Sequence, residues 1–406
     1  MFPHLLLTIV GLFVAAQIIT IALIARADRR RSKRRNIYKI IDLPVIKVNN
    51  ANVNIYMEGW TLFSDMLAAI NQAESRIMFE TYIWQNDELG QQFQAAFIQK
   101  AKEGIDVYLI YDWLGSHAMG GPPKFPDIPH LHVLAFIPFK KIRHLLRRSR
   151  WNVTHRKLLI VDDSISFVGG YNIGDEYMRE WRDTHVRFEH ETGTDELAFA
   201  FVDFWNTYRR KYHPDLPYPP QYWRSDIQLF RNNPLRYNYP IRSLYLKAIE
   251  RANKRIIITN AYFVPDRSIR EALLVAATER NVQIDIVLPW RSNHIIVDWI
   301  ARHHFEDYLK ANIKLYGYNG TMIHAKTITV DGIWSMIGTA NLDRLSLMIN
   351  HEINAEFFDP AVAAQMEAIF AADKNESRVI DPIRWQQRRL AMRVGERLLS
   401  PLWPFI

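Results

Sequence analysis

His155-Arg-Lys157-Leu-Leu-Ile-Val-Asp162 and His324-Ala-Lys326-Thr-Ile-Thr-Val-Asp331 are one pattern written twice, 169 residues apart. In each copy six residues follow the Asp before a small turn, Gly169-Gly170-Tyr171-Asn172 in the first and Gly338-Thr339-Ala340-Asn341 in the second. One match of this kind is weak evidence. Two matches with identical internal spacing, at corresponding places of a repeated unit, are strong evidence for a single shared site.

The apolar residues between Lys and Asp read as a buried strand. On a strand, His and Lys at i and i+2 project to one face. The Asp falls where the strand turns back, and Asp331-Gly332 is a hairpin-turn pair, with Asp162-Asp163-Ser164 a looser version. The chemistry follows from the residue types. A neutral imidazole can attack phosphorus and carry a covalent phosphoryl group. A second imidazole can give a proton to the leaving alcohol and take one from the incoming nucleophile. Lys157 and Lys326 can stabilise the charge that grows on the nonbridging oxygens. Asn172, Asn341, Gly170 and Thr339 are candidates to bind the phosphate, aided by any helix that starts at the two asparagines. His155, Lys157, Asp162, His324, Lys326 and Asp331 are thus the motif's catalytic set. Within it the two Asp are expected to support the turns rather than touch substrate. Asp183 lies 28 residues after His155, and Glu352 lies 28 after His324. That shared offset marks them as acids that orient the imidazoles. No cluster is spaced to hold a metal, and the reaction needs no cofactor.

Around these motifs, the order helix, strand, helix, strand occurs twice. The first half shows it at 66–73, 76–84, 91–103 and 105–111, the second at 243–253, 255–264, 268–279 and 283–288. This is a duplicated α/β unit in which a mixed sheet is flanked by helices. Its divisions are an anchor at 1–25, a basic linker at 26–40, a first domain at 41–215, a linker at 216–240, a second domain at 241–382 and an amphipathic tail at 383–406. Tyr82 to His155 spans 73 residues and Tyr262 to His324 spans 62, so the first half carries an insertion. Its place is 120–150, where Phe139, Ile142, Leu145 and Leu146 share one face of a basic amphipathic helix.

Residues Leu5 to Ala25 are almost all apolar, long enough for one transmembrane helix. Arg26, Arg29, Arg30, Arg31, Lys33, Arg34 and Arg35 follow at once, and no lysine or arginine precedes. A cleavable signal would reverse that order. The charge bias places the chain beyond Arg26 in the cytoplasm, as a single-pass membrane protein. The net charge of +8 over 406 residues favours an anionic partner. The span makes an anionic membrane the better fit and nucleic acid the poorer one. With no cysteine in the chain there is neither a disulfide framework nor a thiolate nucleophile. The tail alternates Arg388, Arg389, Arg393 and Arg397 with Leu390, Val394 and Leu398, a pattern that suits either a membrane surface or the catalytic domains. The oligomeric state is not legible.

The paired motifs resemble those of the phospholipase D superfamily, and within it bacterial cardiolipin synthases. Further stretches carry the likeness: Phe79-Glu-Thr-Tyr-Ile-Trp84, Trp181-Arg-Asp-Thr-His185, Ala261-Tyr-Phe-Val-Pro-Asp266 and Asn341-Leu-Asp-Arg-Leu-Ser346. The resemblance implies two tandem phospholipase D-like domains related by a pseudo-twofold axis, with the site between them. It also implies transfer of a phosphatidyl group from phosphatidylglycerol to a second lipid alcohol through a phosphohistidine, with His155 as nucleophile. The residues alone are nearly symmetric between His155 and His324. Gly170 and Thr339 depart from the serine usual in the family turn. A hydrolytic phosphodiesterase acting on lipid or nucleic acid would use the same histidines, and an inactive scaffold would have no use for two complete motifs.

Overall fold

A computed structural model describes residues 11, 14–24, 26, 39–138, 152–189, 191–220 and 227–405. Among them are two eight-stranded sheets. In the first, Arg76–Thr81 is central. It runs parallel to Asp106–Asp112, which runs parallel to Leu131–Phe136. On its other side lie Leu158–Val161, Ile165–Gly169, His185–Glu189 and Ala51–Tyr56, each antiparallel to its neighbour. The second sheet repeats this scheme. Arg255–Asn260, Gln283–Pro289 and Lys314–Tyr318 are parallel, and Lys326–Val330, Trp334–Gly338, Ile353–Phe357 and Gln228–Arg231 continue antiparallel. Seven strands therefore correspond in order and direction. The eighth strands, Ile46–Val48 and Ser377–Val379, lie at opposite edges. The mixed α/β architecture of two repeated domains is as the sequence implies. Gln228–Arg231 falls within the stretch read as linker, so that segment supplies an edge strand.

The flanking helices start earlier than apolar periodicity alone indicates, because their caps lie ahead of the first apolar turn. Glu58 accepts the backbone N–H of Trp60 and Thr61 at the head of Gly59–Gln72. Asp87 accepts Gly90 N–H ahead of Glu88–Lys102, and Asp266 accepts Ile269 N–H ahead of Arg267–Thr278. Each cap satisfies donors that the helix itself leaves unpaired. The halves share a core in which Val186, Phe188, Leu197 and Phe201 of the first meet Ile337, Ile353, Phe357 and Met366 of the second. The inter-domain contact is thus an apolar interior, and the halves are fixed relative to each other.

The motif strands end as the sequence implies. Asp162 and Asp331 adopt φ of 50° and 53°, in the left-handed region that a tight reversal needs. Each carboxylate ties its turn to the neighbouring helix–strand junction. Asp162 accepts N–H from Glu74, Ser75 and Arg76 at 2.7–2.9 Å. Asp331 accepts N–H from Asn253, Lys254 and Arg255 at 2.8 Å each.

Residues 14–24 are helical and lie beside the C-terminal helix Leu390–Leu399, with Gln17 Nε2 donating to Leu398 O at 2.9 Å. Among the described residues no helix is long and apolar enough to cross a membrane. The rest of the apolar 5–25 stretch, the basic residues 29–35 and the basic segment 139–150 lie outside the described residues.

Asp331→Ala leaves three backbone donors without their shared acceptor. It should cost about 1–3 kcal/mol, read as a lower Tm, while kcat per folded molecule stays within about threefold because no reacting group moves. Desolvation raises the Asp331 carboxyl, but the three hydrogen bonds together outweigh it and hold the group below its ordinary value. This stabilisation is therefore complete above the unfolded carboxyl pKa and fades as pH falls through the lower folded value. A Tm difference between wild type and Asp331→Ala that does not shrink on acidification would contradict this assignment.

Candidate active site

The strand that leads into each histidine pairs with the strand that carries the other half's acid. Met322–Ile323 runs parallel to Trp181–Arg182, and His324 N–H donates to Arg182 O at 2.7 Å. In the corresponding place Thr154 bridges to His351. There His155 N–H donates to His351 O, and His351 N–H to Val153 O, both at 3.0 Å. These ladders bring each imidazole to an acid from the opposite domain. His155 Nδ1 lies 3.0 Å from both oxygens of Glu352, and His324 Nδ1 lies 2.6 Å from Asp183 Oδ2. A carboxylate on Nδ1 fixes the tautomer with the proton there and leaves Nε2 as the free lone pair. The 28-residue offset located both acids. It held no sign that each serves the other half's ring.

Both histidines line one cavity of about 660 Å³ at the domain interface, together with Tyr82, Tyr177, Trp181, Tyr262, Asn172 and Asn341. Tyr82 meets His155 edge-on with ring centres 4.9 Å apart, and Trp181 meets His324 likewise at 5.0 Å. These aromatic walls were not singled out from the sequence as site residues. Their signal was the recurrence of a Tyr just after the central strand, Tyr82 in one half and Tyr262 in the other.

The lysines are buried. Lys157 Nζ donates to His155 O at 2.6 Å, and Lys326 Nζ donates to His324 O and lies 3.9 Å from Asp183 Oδ2. Burial pushes Lys157 down to about 7 and Lys326 down to about 8. Burial, then the lysines, holds His155 well below its ordinary value and His324 at about 3. Burial also raises Glu352 to about 7. Asp183 is held below its ordinary value, because Lys326 and His324 outweigh its desolvation. The two acids thus differ: Asp183 is the firmly ionised one.

The turn residues do not all serve as the sequence led us to expect. Thr339 Oγ1 donates to Glu352 Oε2 at 2.5 Å, so its hydroxyl braces the acid and is not available to an anion. A Cβ on Gly170 would fall 2.0 Å from Asp183 Oδ1. Glycine is there because the carboxylate occupies that space, and the position offers no side-chain contact to phosphate. Asn172 lines the cavity with its Oδ1 accepting Ile83 N–H at 3.2 Å, and its side chain also hydrogen-bonds Tyr177 of the cavity wall. Asn341 has one long contact, Nδ2 to Ser346 Oγ at 3.5 Å, and a buried Oδ1 without a partner. Its amide can turn toward an incoming anion. The helices after these turns, Asp175–Arg179 and Arg344–Met348, start beyond the asparagines and are single short turns. They do not form the anion site foreseen at the turns themselves. Asp162 and Asp331 do not line the cavity.

Among the described residues no group of acids or histidines is placed to hold a metal ion. The arrangement offers two neutral imidazoles and two asparagine side chains around one space, with Lys157 and Lys326 buried against the histidines' backbone carbonyls and not part of the cavity lining, a set of groups suited to displacement at a phosphate.

Comparison with known proteins agrees. A family model described as cardiolipin synthase, phospholipase D-like domain, matches residues 66–205 and 245–374. The major cardiolipin synthase of Bacillus subtilis is 34% identical over 369 residues, covering 86% of this chain and 75% of that one. A cardiolipin synthase of Geobacillus kaustophilus is 33% identical, covering 93% and 77%. A phosphatidylserine synthase of Haemophilus influenzae shares the fold, with a TM-score of 0.65 at 13% identity over 93% of this chain and 97% of that one.

Gly170→Ala must displace Asp183 from His324. A displacement of about 1 Å at an orienting group lowers kcat on the order of 100-fold, with KM changed far less. Steady-state kinetics on protein of unchanged Tm checks this, and a kcat within about threefold of wild type would contradict it.

Proposed function

The chain belongs to the cardiolipin synthase family of phospholipase D-like proteins, and on that premise we propose that it is a phosphatidyltransferase acting through a phosphohistidine. Its donor is phosphatidylglycerol, its acceptor is the hydroxyl of a second phospholipid, and its by-product is glycerol. The observation that carries this reading is the pair of imidazoles, each held at Nδ1 by an acid of the other domain and both lining one cavity.

His155 Nε2 attacks phosphorus. The P–O bond to glycerol breaks, and His324, as imidazolium, gives its Nε2 proton to the departing oxygen. The now neutral His324 then takes the proton from the acceptor hydroxyl. That oxygen forms the new P–O bond as the P–N bond to His155 breaks. Lys157, Lys326 and the amides of Asn172 and Asn341 hold the nonbridging oxygens. The unequal acids support this division of labour. Ionised Asp183 stabilises an imidazolium at His324, whereas Glu352, raised to about 7, gives His155 less help in holding a second proton. Entry of an anionic phosphodiester into the cavity raises the proton affinity of His324, which burial and Lys326 lower. The aromatic walls favour a lipid alcohol over water as acceptor, since apolar lining makes solvent a poor occupant.

For location, we propose that the apolar stretch over 5–25 anchors the chain at a bacterial inner membrane, with the catalytic domains on its cytoplasmic side. The order of apolar and basic residues supports it.

Incubation of the purified protein with phosphatidylglycerol vesicles should give cardiolipin and glycerol in equal amounts. Phosphatidic acid and glycerol would make the protein a hydrolase, and turnover of DNA without lipid would contradict the assignment. The lysines set the alkaline limb. Each is charged below its folded value and loses that charge as pH rises through it, so kcat/KM should fall above about pH 7–8. The limb of kcat should lie higher, because the bound anion holds the protons on. A kcat/KM that is flat to about pH 10, at least two units past both folded values, would contradict the lysine role.

A further inference from the structure

Two helices of this chain each bury a polar side chain while exposing several aliphatic ones. In Leu390–Leu399 the carboxylate of Glu396 is buried and bonded to Arg388 at 2.7 Å, whereas Leu390 is 72% and Val394 55% exposed. In the helix over 14–24, Gln17 is buried and donates to Leu398 O, whereas Ile18, Ile19 and Leu23 are about 60% exposed, at 61%, 59% and 63%. A helix facing water does the opposite, turning its charged groups out and its aliphatic stripe in. The two helices lie against each other. Gly395 lets Trp299 come so close that a Cβ would fall 2.7 Å from its ring, with Thr20 of the N-terminal helix at 3.7 Å.

The chain then leads from this pair into the active site. The turn Ser400–Phe405 lies against helices Ile295–Arg302 and Arg344–Met348. Val297 and Leu345 of those helices line the catalytic cavity, and so does Phe405. Leu345 and Met348 are also part-exposed, at 36% and 39%. Exposed apolar side chains therefore mark the N-terminal helix, the C-terminal helix beside it and Phe405, which lines the cavity. Arg389 and Arg397 stand exposed on the C-terminal helix, where they can meet anionic headgroups.

We infer that the paired helices over 14–24 and 390–399 form a bilayer-facing platform, and that the Ser400–Phe405 turn guides a lipid from the bilayer sideways into the catalytic cavity. The occupant of the apolar face is the acyl region of the membrane. Three observations favour it over a second copy of the chain. The exposed face continues the apolar stretch begun at Leu5, cationic residues flank it, and it ends at a cavity whose proposed substrate is a lipid. Docking itself does not depend on the chemistry. The guiding role rests on the phosphatidyltransferase reading.

The chain has no cysteine, so a single one introduced at an exposed position can be labelled cleanly. Val394→Cys and Phe405→Cys, each carrying an environment-sensitive fluorophore on the full chain in phosphatidylglycerol vesicles, should be quenched by nitroxides on the acyl chains and shielded from aqueous iodide. A label at Val394 that iodide quenches freely and acyl nitroxides do not, or one shielded only as protein concentration rises, would overturn the platform. For the guide, Leu390→Asp with Val394→Asp changes exposed positions only. It should cut turnover of long-chain phosphatidylglycerol in bilayers about tenfold, while turnover of a short-chain, water-dispersed phosphatidylglycerol stays within about twofold. Equal loss on both substrates, or loss on neither, would overturn the guide. A wild type inactive on either lipid would refute the proposed reaction and leave the quenching result standing.

Discussion

Two contacts between imidazole and carboxylate, crossed between the domains, are the constraint on which the rest of the structure turns. His155 is held by Glu352 of the second half and His324 by Asp183 of the first. Neither half contains a complete site. The crossing needs the acid-bearing strand of each domain beside the histidine-bearing strand of the other, which the short ladders at Arg182 and His351 supply. The same seam holds the fork of Arg182 on Asp373, at 2.8 and 2.7 Å with both groups buried. Buried charges of this kind add little net stability, because desolvation offsets their attraction, but removing one partner is costly. Their effect is to penalise any misalignment of the halves. The apolar core that the halves share supplies the driving force for docking.

Burial at that seam also sets the electrostatics. Two lysines, two histidines and two acids are buried together, so each is shifted from its ordinary state. Burial lowers the proton affinity of both imidazoles and of both lysines. An anion beside such a cluster favours its protonated forms. The small difference between Asp183 beside Gly170 and Glu352 braced by Thr339 breaks an otherwise near-symmetric arrangement.

Much of this was legible in the residues. The two motifs fixed the repeat, the central strands and the turn role of Asp162 and Asp331. The equal offset found Asp183 and Glu352, because equivalent positions of a duplicated fold carry equivalent tasks. Other features were not legible. An offset that is identical in both halves is blind to whether an acid serves its own histidine or the other one. Thr339 reads as a serine substitute for phosphate until its hydroxyl is seen on Glu352. Gly170 reads as a lost hydroxyl until the space it clears is seen to hold Asp183. Periodicity shows that Leu390 and Val394 share a face but not which way the face points, and a buried Glu396 reverses the usual answer. Gln228–Arg231 was hidden because an edge strand of four residues beside a proline-rich stretch carries too little pattern to stand out.

The crossed pairing is open to direct observation by proton NMR. A histidine Nδ1–H buried against a carboxylate resonates far downfield, clear of the amide region. Replacing His324 with Gln and Asp183 with Asn, each alone, should remove the same downfield resonance. Replacing His155 with Gln and Glu352 with Gln should remove a second one. If Asp183→Asn instead removed the resonance that belongs to His155, each domain would be bracing its own histidine, and a site shared across the seam would be ruled out.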